Sequence, residues 1–312
     1  MTAGATAVLL AVCGVGAETF VFPRVQAVPL DGRQCAFEID GVEAARYHYA
    51  NNTPKPYIFP LIGPAGRRLT SVSHPVDPKG HRHHRSIWIG HHDVNGVSFW
   101  AEDGGARIVS QGIEAYQSGA ESAALTMVHP WLGPDGQPLM TEKRTLTVHR
   151  LPGGESYLDL VCTWTPAGTS VMLGKTPFGF LGVRVADTMA VRGGGGSVRN
   201  AEGEQNETGV HWKRSRWVDY TGPVAPDETN GIAFFDHPDN PHFPTYFHVR
   251  DEGWMGAAFC YEEPYALEPG ASLTLRYRLY THGAEATPED IERHWKVFAV
   301  LDENLEGTTA GK

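Results

Sequence analysis

Cysteine is scarce and scattered, with four in 312 residues at Cys13, Cys35, Cys162 and Cys260. No pair has Cys-x-x-Cys spacing, so neither a disulfide framework nor a cysteine metal site is expected, and small buried hydrophobes are their ordinary role. Beyond the N-terminus no run approaches the ~18 consecutive apolar residues that span a bilayer. Basic blocks are missing too: 26 Lys and Arg stand against 36 Asp and Glu, a net charge of −10, which argues against nucleic acid as a partner. There is no Gly-x-Ser-x-Gly elbow and no catalytic cysteine pattern. The glycine run 193–196 is followed by no Lys-Ser/Thr, so it is no phosphate loop. No paired-carboxylate signature of glycoside hydrolysis stands out, because sequence spacing does not report carboxyl separation.

What is abundant is punctuation. The 36 glycines and 22 prolines suit many short strands and turns better than long helices. Alternating segments at 18–30 and 34–49 are broken by Asp31-Gly32 and Asp40-Gly41, and Pro54, Pro56, Pro60 and Pro64 interrupt the next stretch. Residues 76–80 read as a polar loop. Further strands are expected at 106–116, 120–129, 142–150, 155–164, 178–185, 210–220, 231–235, 245–250, 254–261 and 271–281. One helix is expected near the C-terminus: Thr287 as N-cap, Pro288 at the first helical position, Asp290 completing a capping-box pair, and Ile291, Trp295 and Phe298 as a stripe. About fifteen short strands and one terminal helix predict an all-β fold, a large antiparallel two-sheet β-sandwich occupying 18–312 as one domain. Residues 6–17 are apolar and end Val15-Gly16-Ala17 before Glu18, like a signal peptide with its cleavage site, although no basic residue precedes Arg24. Removal of residues 1–17 would take Cys13 with it and place the protein outside the cytoplasm, in the periplasm or medium; with the leader retained it would be cytoplasmic.

The densest chemistry lies in His81-Arg82-His83-His84-Arg85-Ser86-Ile87-Trp88-Ile89-Gly90-His91-His92, which holds five of the fifteen histidines. Extended throughout, it would put His83, Arg85, Ile87, Ile89 and His91 on one face and His84, Ser86, Trp88 and His92 on the other. Asp93-Val94-Asn95-Gly96 reads as the succeeding turn. A solitary histidine such as His48, His129, His149, His211 or His294 is ordinarily a surface or satisfied core residue. Five within twelve positions are not explained that way.

These residues, with Tyr57-Ile58-Phe59-Pro60-Leu61-Ile62-Gly63-Pro64, Phe178-Gly179-Phe180-Leu181-Gly182-Val183-Arg184-Val185, Arg216-Trp217-Val218-Asp219-Tyr220-Thr221-Gly222 and Asp236-His237-Pro238-Asp239-Asn240-Pro241, resemble the bacterial PmoA-like ("methane oxygenase PmoA") family over nearly the whole chain after the leader. The methane-oxygenase name does not fit, since a membrane copper oxygenase subunit needs several spanning helices. The resemblance implies instead a β-supersandwich similar to galactose mutarotases, in proteins that act as companions of sugar oxidoreductases in carbohydrate catabolism. Fold alone does not settle function.

Two chemistries are open. In acid–base work on a sugar, His83 or His91 supplies one proton-transfer group and Glu142 the other, while Arg85 or Arg184 binds hydroxyls or a developing oxyanion. His84, Trp88, Asp219 and His237 would bind substrate. In a divalent-metal site, His81 and His83 share a strand face and His237, Asp219 or Glu142 adds ligands. Such a metal would polarise a keto group in lyase or hydrolase chemistry on oxidised glycosides. The segment from His237 to His242 could equally be a proline-stiffened turn. Trp88, Trp100, Trp212, Trp217 and Trp254 are either core or sugar-stacking residues. The expected function is a carbohydrate-active enzyme, epimerase- or mutarotase-like. The alternative is a non-catalytic carbohydrate-binding protein, told apart by whether histidines meet a carboxylate and an arginine in one cleft.

Overall fold

The computed structural model describes residues 22–72 and 81–300. The leader expected at 1–17 and the loop expected at 76–80 lie outside these residues. Two nine-stranded sheets, every pairing antiparallel, form the body. The first runs from Val25–Leu30 at one edge through Gln34–Ile39, Val42–His48, Tyr57–Leu61, Ile87–His91, Gly179–Arg184, Trp254–Ala258 and Tyr246–Arg250 to Lys213–Arg214. The second orders Ser197–Asn200, Trp217–Ala225, Glu228–Asp236, Leu273–Gly283, Ser156–Pro166, Pro138–Arg150, Ser122–Leu132 and Arg107–Ile108, with Gly112–Ser118 also paired to Ser122–Leu132. A small ribbon pairs Val171–Leu173 with Tyr265–Leu267. The architecture is an all-β sandwich.

Its long strands follow from alternation. Ser122–Leu132 and Ser156–Pro166 bury every second residue for much of their length, so Leu125, Met127, Leu158, Leu160 and Cys162 meet Ile87, Ile89, Phe180 and Val183 of the first sheet in one apolar core. Inside that core sits one polar knot. Arg144 (Nε and Nη2) donates to both oxygens of Glu142 at 2.6 and 2.9 Å, and the Trp131 indole N–H donates to Glu142 at 2.8 Å. Arg144 also donates to the Tyr47 hydroxyl at 3.0 Å, leaving that hydroxyl's proton for His129 Nε2 at 2.9 Å, while His129 Nδ1 meets Ser110 Oγ at 2.9 Å.

The C-terminal helix, Pro288–Ala299, starts with the Thr287–Asp290 capping box. Ile291 and Phe298 pack on Tyr157, Trp217, Phe235 and Tyr280 across the outer face of the second sheet. The strand expected at 210–220 is interrupted: Val210 ends a short helix, Asn206–Val210, Lys213–Arg214 is a two-residue strand of the first sheet, and Trp217–Ala225 is a strand of the second. That helix has no side-chain cap of the kind that marks Thr287. No helix among the described residues is long and apolar enough to cross a membrane.

Candidate functional site

The histidine stretch does not run as one strand. Regular pairing begins only at Ile87; upstream, the His84 N–H closes on the His81 carbonyl at 3.0 Å and that of Arg85 on the His83 carbonyl at 3.0 Å. Ser86 sits at φ +61. These turns cancel the expected alternation and gather three imidazoles instead: ring centroids of His83 and His84 lie 4.6 Å apart, those of His81 and His84 5.0 Å, and those of His81 and His83 5.8 Å.

From Ile87 onward alternation holds. Ile87 and Ile89 enter the core, and Trp88 turns to the opposite, outer face. There it joins Trp100 and Trp254, with Phe178 at the edge. Two glycines make this possible. A Cβ on Gly182 would lie 2.6 Å from the Trp88 ring, and one on Gly256 2.6 Å from the Trp254 ring, so both indoles lie flat over bare backbone. His84 stacks on Trp88 at 5.2 Å, and His248 meets Trp254 at 4.6 Å and Phe178 at 5.4 Å.

The result is a cleft of about 360 Å³ whose walls include His81, His83, His84, His92 and His248, whose apolar surfaces are Trp100, Phe178 and Trp254, and whose one end carries Arg250 and Glu252. Behind Trp100 lies a charged triad in which Lys55 and Glu102 are buried and Arg85 is partly exposed. Lys55 Nζ donates to the Trp100 carbonyl at 2.6 Å and stands 3.4 Å from Glu102, which receives both arms of Arg85 at 2.8 Å. Burial draws Lys55 down to about 8 against the pull of Glu102. Burial also draws His83 down to about 4, aided by the charges of Lys55 and His81, and His248 down to about 3, aided by His211 and Arg250. At neutral pH these imidazoles are uncharged, each with one N–H donor and one acceptor. Stacked rings, neutral donor–acceptor pairs and a carboxylate with an arginine at one end can hold a molecule that has an apolar face and a hydroxylated rim, and can pass protons to it.

The remaining candidates are dispersed. Arg85 is held on Glu102 and over the Tyr57 ring, not in the cleft. His91 points inward, stacks on Phe180 at 4.8 Å and bonds the Gly174 carbonyl at 3.0 Å, because strand alternation sends it to the core face. Glu142 is consumed by the knot between the sheets. Asp219 lies on the second sheet, bonded to His282 at 2.8 Å and Arg199 at 2.9 Å. His237 packs edge-on against Phe298 of the C-terminal helix, and its Nδ1 accepts the Asp239 N–H at 3.1 Å in a turn that Asn240 closes. The ligand set His81, His83 and His237 is therefore not assembled, and among the described residues no three His, Cys, Asp or Glu are disposed to hold a metal ion.

Arg184 lies on the cleft's side of the sheet but is not among the residues that line the cleft. It pairs with Trp254 and lies two positions from Gly182, which puts its side chain on the cleft face of the sheet. The guanidinium is fully buried, and none of its three nitrogens has a hydrogen-bond partner among the described residues. Burial lowers its pKa, and Asp187 and Glu252 oppose this only as nearby charges. Trp88 Nε1 on the same face is likewise without a hydrogen-bond partner among the described residues. Sequence reasoning missed His248, Arg250 and Glu252, which lie more than 140 positions beyond His92. The one usable signal was alternation in Tyr246–Arg250, which puts His248 and Arg250 on the same face.

Among solved structures the chain is similar to a proposed kojibiose phosphorylase from the human microbiome, with 9% identity, TM-score 0.37, and coverage of 90% of this chain and 37% of that one. It is similar also to a 4-alpha-glucanotransferase from Thermococcus litoralis, at 10% identity, TM-score 0.33, and coverage of 84% and 40%. A GalM/aldose epimerase homologue from C. elegans gives 8% identity, TM-score 0.30, and coverage of 80% and 95%. The chain thus spans roughly two fifths of the first two proteins. No curated protein matches it in sequence. The profile of DUF6807, a family of unknown function, matches residues 34–296, and the chain belongs to that family.

Proposed function

We propose that the outer-face cleft binds a carbohydrate, or an oxidised keto sugar, and acts on it by histidine-based proton transfer. The observation that carries this reading is a group of imidazoles, His83 and His248 uncharged at neutral pH, set beside the Trp100 and Trp254 rings of a three-tryptophan cluster. A sugar ring offers a C–H face to indole and a rim of hydroxyls to imidazole. His83 is the proton-transfer group we favour, because it is uncharged at neutral pH and flanks Trp100 at 6.0 Å. His81, His84 and His248 bind hydroxyls, and Arg184, buried on the same side of the sheet, adds positive charge that favours a carbonyl or developing oxyanion. This reading keeps the place beside sugar oxidoreductases that resemblance to PmoA-like proteins implies, and an extracytoplasmic location if residues 1–17 are removed.

The test is anomeric exchange and keto-sugar turnover followed by NMR across a panel of aldoses and their 3-keto derivatives. His83→Ala and His81→Ala should lose turnover by at least ~100-fold while the melting temperature stays within about 2 °C, since surface-site substitutions cost little. Two variants that unfold markedly yet keep full ligand binding would show the cluster to be scaffolding. The aromatic floor alone favours the second reading, a non-catalytic sugar-binding protein; binding without turnover, lost in Trp100→Ala and indifferent to His83→Ala, selects it.

A further inference from the structure

One aromatic surface lies outside the cleft. Trp212 is 40% exposed and holds a left-handed backbone at φ +54, a conformation that costs a bulky side chain free energy. Its N–H is anchored to the Phe247 carbonyl at 2.8 Å. The ring stacks on His211 at 4.3 Å and leans on Tyr261 at 5.6 Å, and Tyr261 packs on Tyr246 at 4.4 Å. With Lys175, Thr176, Pro177 and Glu262, the Trp212 and Tyr261 rings border an open basin of about 710 Å³. A strained backbone that holds a large apolar ring toward water is a double cost, and these ring contacts leave much of the indole in solvent.

The basin and the cleft share a wall. Thr176 and Pro177 border the basin, and the next residue, Phe178, borders the cleft. His248 stands between them, 5.8 Å from Trp212 and 4.6 Å from Trp254. The aromatic path is therefore continuous from the tryptophan floor, through His248, to the Trp212 ring.

We propose that the Trp212–Tyr261 surface is a second sugar subsite continuous with the cleft, so that the ligand is a glycoside or oligosaccharide of at least two units. This inference rests on the carbohydrate reading of the cleft. The second unit lays its C–H face on the Trp212 indole, and its hydroxyls reach the polar residues of the rim, Lys175, Thr176 and Glu262. The cleft residues discriminate the first unit; the basin measures length.

The experiment is a binding screen on an array of defined mono- to tetrasaccharides, followed by calorimetric titration of the best binder and of its constituent monosaccharide. The intact chain should bind the longer ligand at least 10-fold tighter. Trp212→Asn, which keeps a residue tolerant of positive φ, should remove that gain and leave the monosaccharide Kd within 2-fold, and Tyr261→Ala should do the same more weakly. Trp100→Ala should weaken both ligands alike. Equal affinity for monosaccharide and oligosaccharide, or an undiminished length gain in Trp212→Asn, overturns the second subsite and leaves the cleft reading standing. Binding to no glycan on the array overturns both.

Discussion

Two buried arginines 40 positions apart in sequence live in opposite conditions. Arg144, between the sheets, spends its donors on Glu142 and Tyr47, and the chain of partners continues through His129 to Ser110. Burial opposes both charges of the Arg144–Glu142 pair, yet their attraction prevails, raising the Arg144 pKa and lowering that of Glu142. Arg184, on the outer face, is equally buried and has no hydrogen bond to any described residue through its guanidinium. A completed polar network specifies a core, whereas buried donors with no partner among the described residues carry a cost that a bound group can offset. The contrast separates a structural cluster from the proposed binding cluster more sharply than residue type does, since both regions contain histidine, arginine and tryptophan.

The largest expected effect comes from breaking the completed network. Glu142→Ala leaves Arg144 buried without its counter-charge and should cost about 3–5 kcal/mol of unfolding free energy, read as a lower urea midpoint. Sugar affinity of the folded fraction should be unchanged. A loss of turnover without loss of stability would return Glu142 to the catalytic role suggested by its sequence.

The opposite sign is expected on the other side. Arg184→Met removes a charge that has no partner to abandon, so stability should rise by about 1–3 kcal/mol. Ligand affinity should fall at least ~10-fold in the same variant, because functional sites retain costs of this kind. Destabilisation by Arg184→Met would show that the guanidinium is already satisfied.

A third comparison is the response to acid. His83 and His91 are held at about 4 and His129 and His248 at about 3, against about 6.5 in an unfolded chain, burial being the first cause in each. Below pH 6.5 the unfolded chain therefore takes up protons that the folded one refuses, and stability falls as pH drops from about 6.5 toward 3, with the full contribution present above 6.5. Urea titrations at half-unit pH steps should show this slope. The proton-transfer role of His83 should hold from pH 7 to 5 and be lost only near 4, where His83 becomes charged. A turnover midpoint near 6.5 would mean that the responsible histidine is not shielded in the cleft.

Local patterning makes much of this protein legible. Period-two alternation gives strands at 120–129, 142–150 and 155–164, found at Ser122–Leu132, Pro138–Arg150 and Ser156–Pro166, Asn95-Gly96 gives the turn after the histidine strand, and Thr287, Pro288 and Asp290 the start of the C-terminal helix, because each depends on neighbours within a few residues. The helix at Asn206–Val210 is not legible, because five residues carry too little periodicity to read. The histidine cluster is visible as composition, but its form is not: two short turns before Ile87 depend on backbone hydrogen bonds that no alternation rule anticipates. Which histidines face the cleft, which carboxylate is consumed by the core, and which arginine is left without partners were decided by tertiary structure. Residues such as His84, Gly182, His248 and Trp254 belong to different strands and loops, and their adjacency comes from strand order in the first sheet. That order arises from long-range pairing, while residue spacing along the chain reports only local conformation.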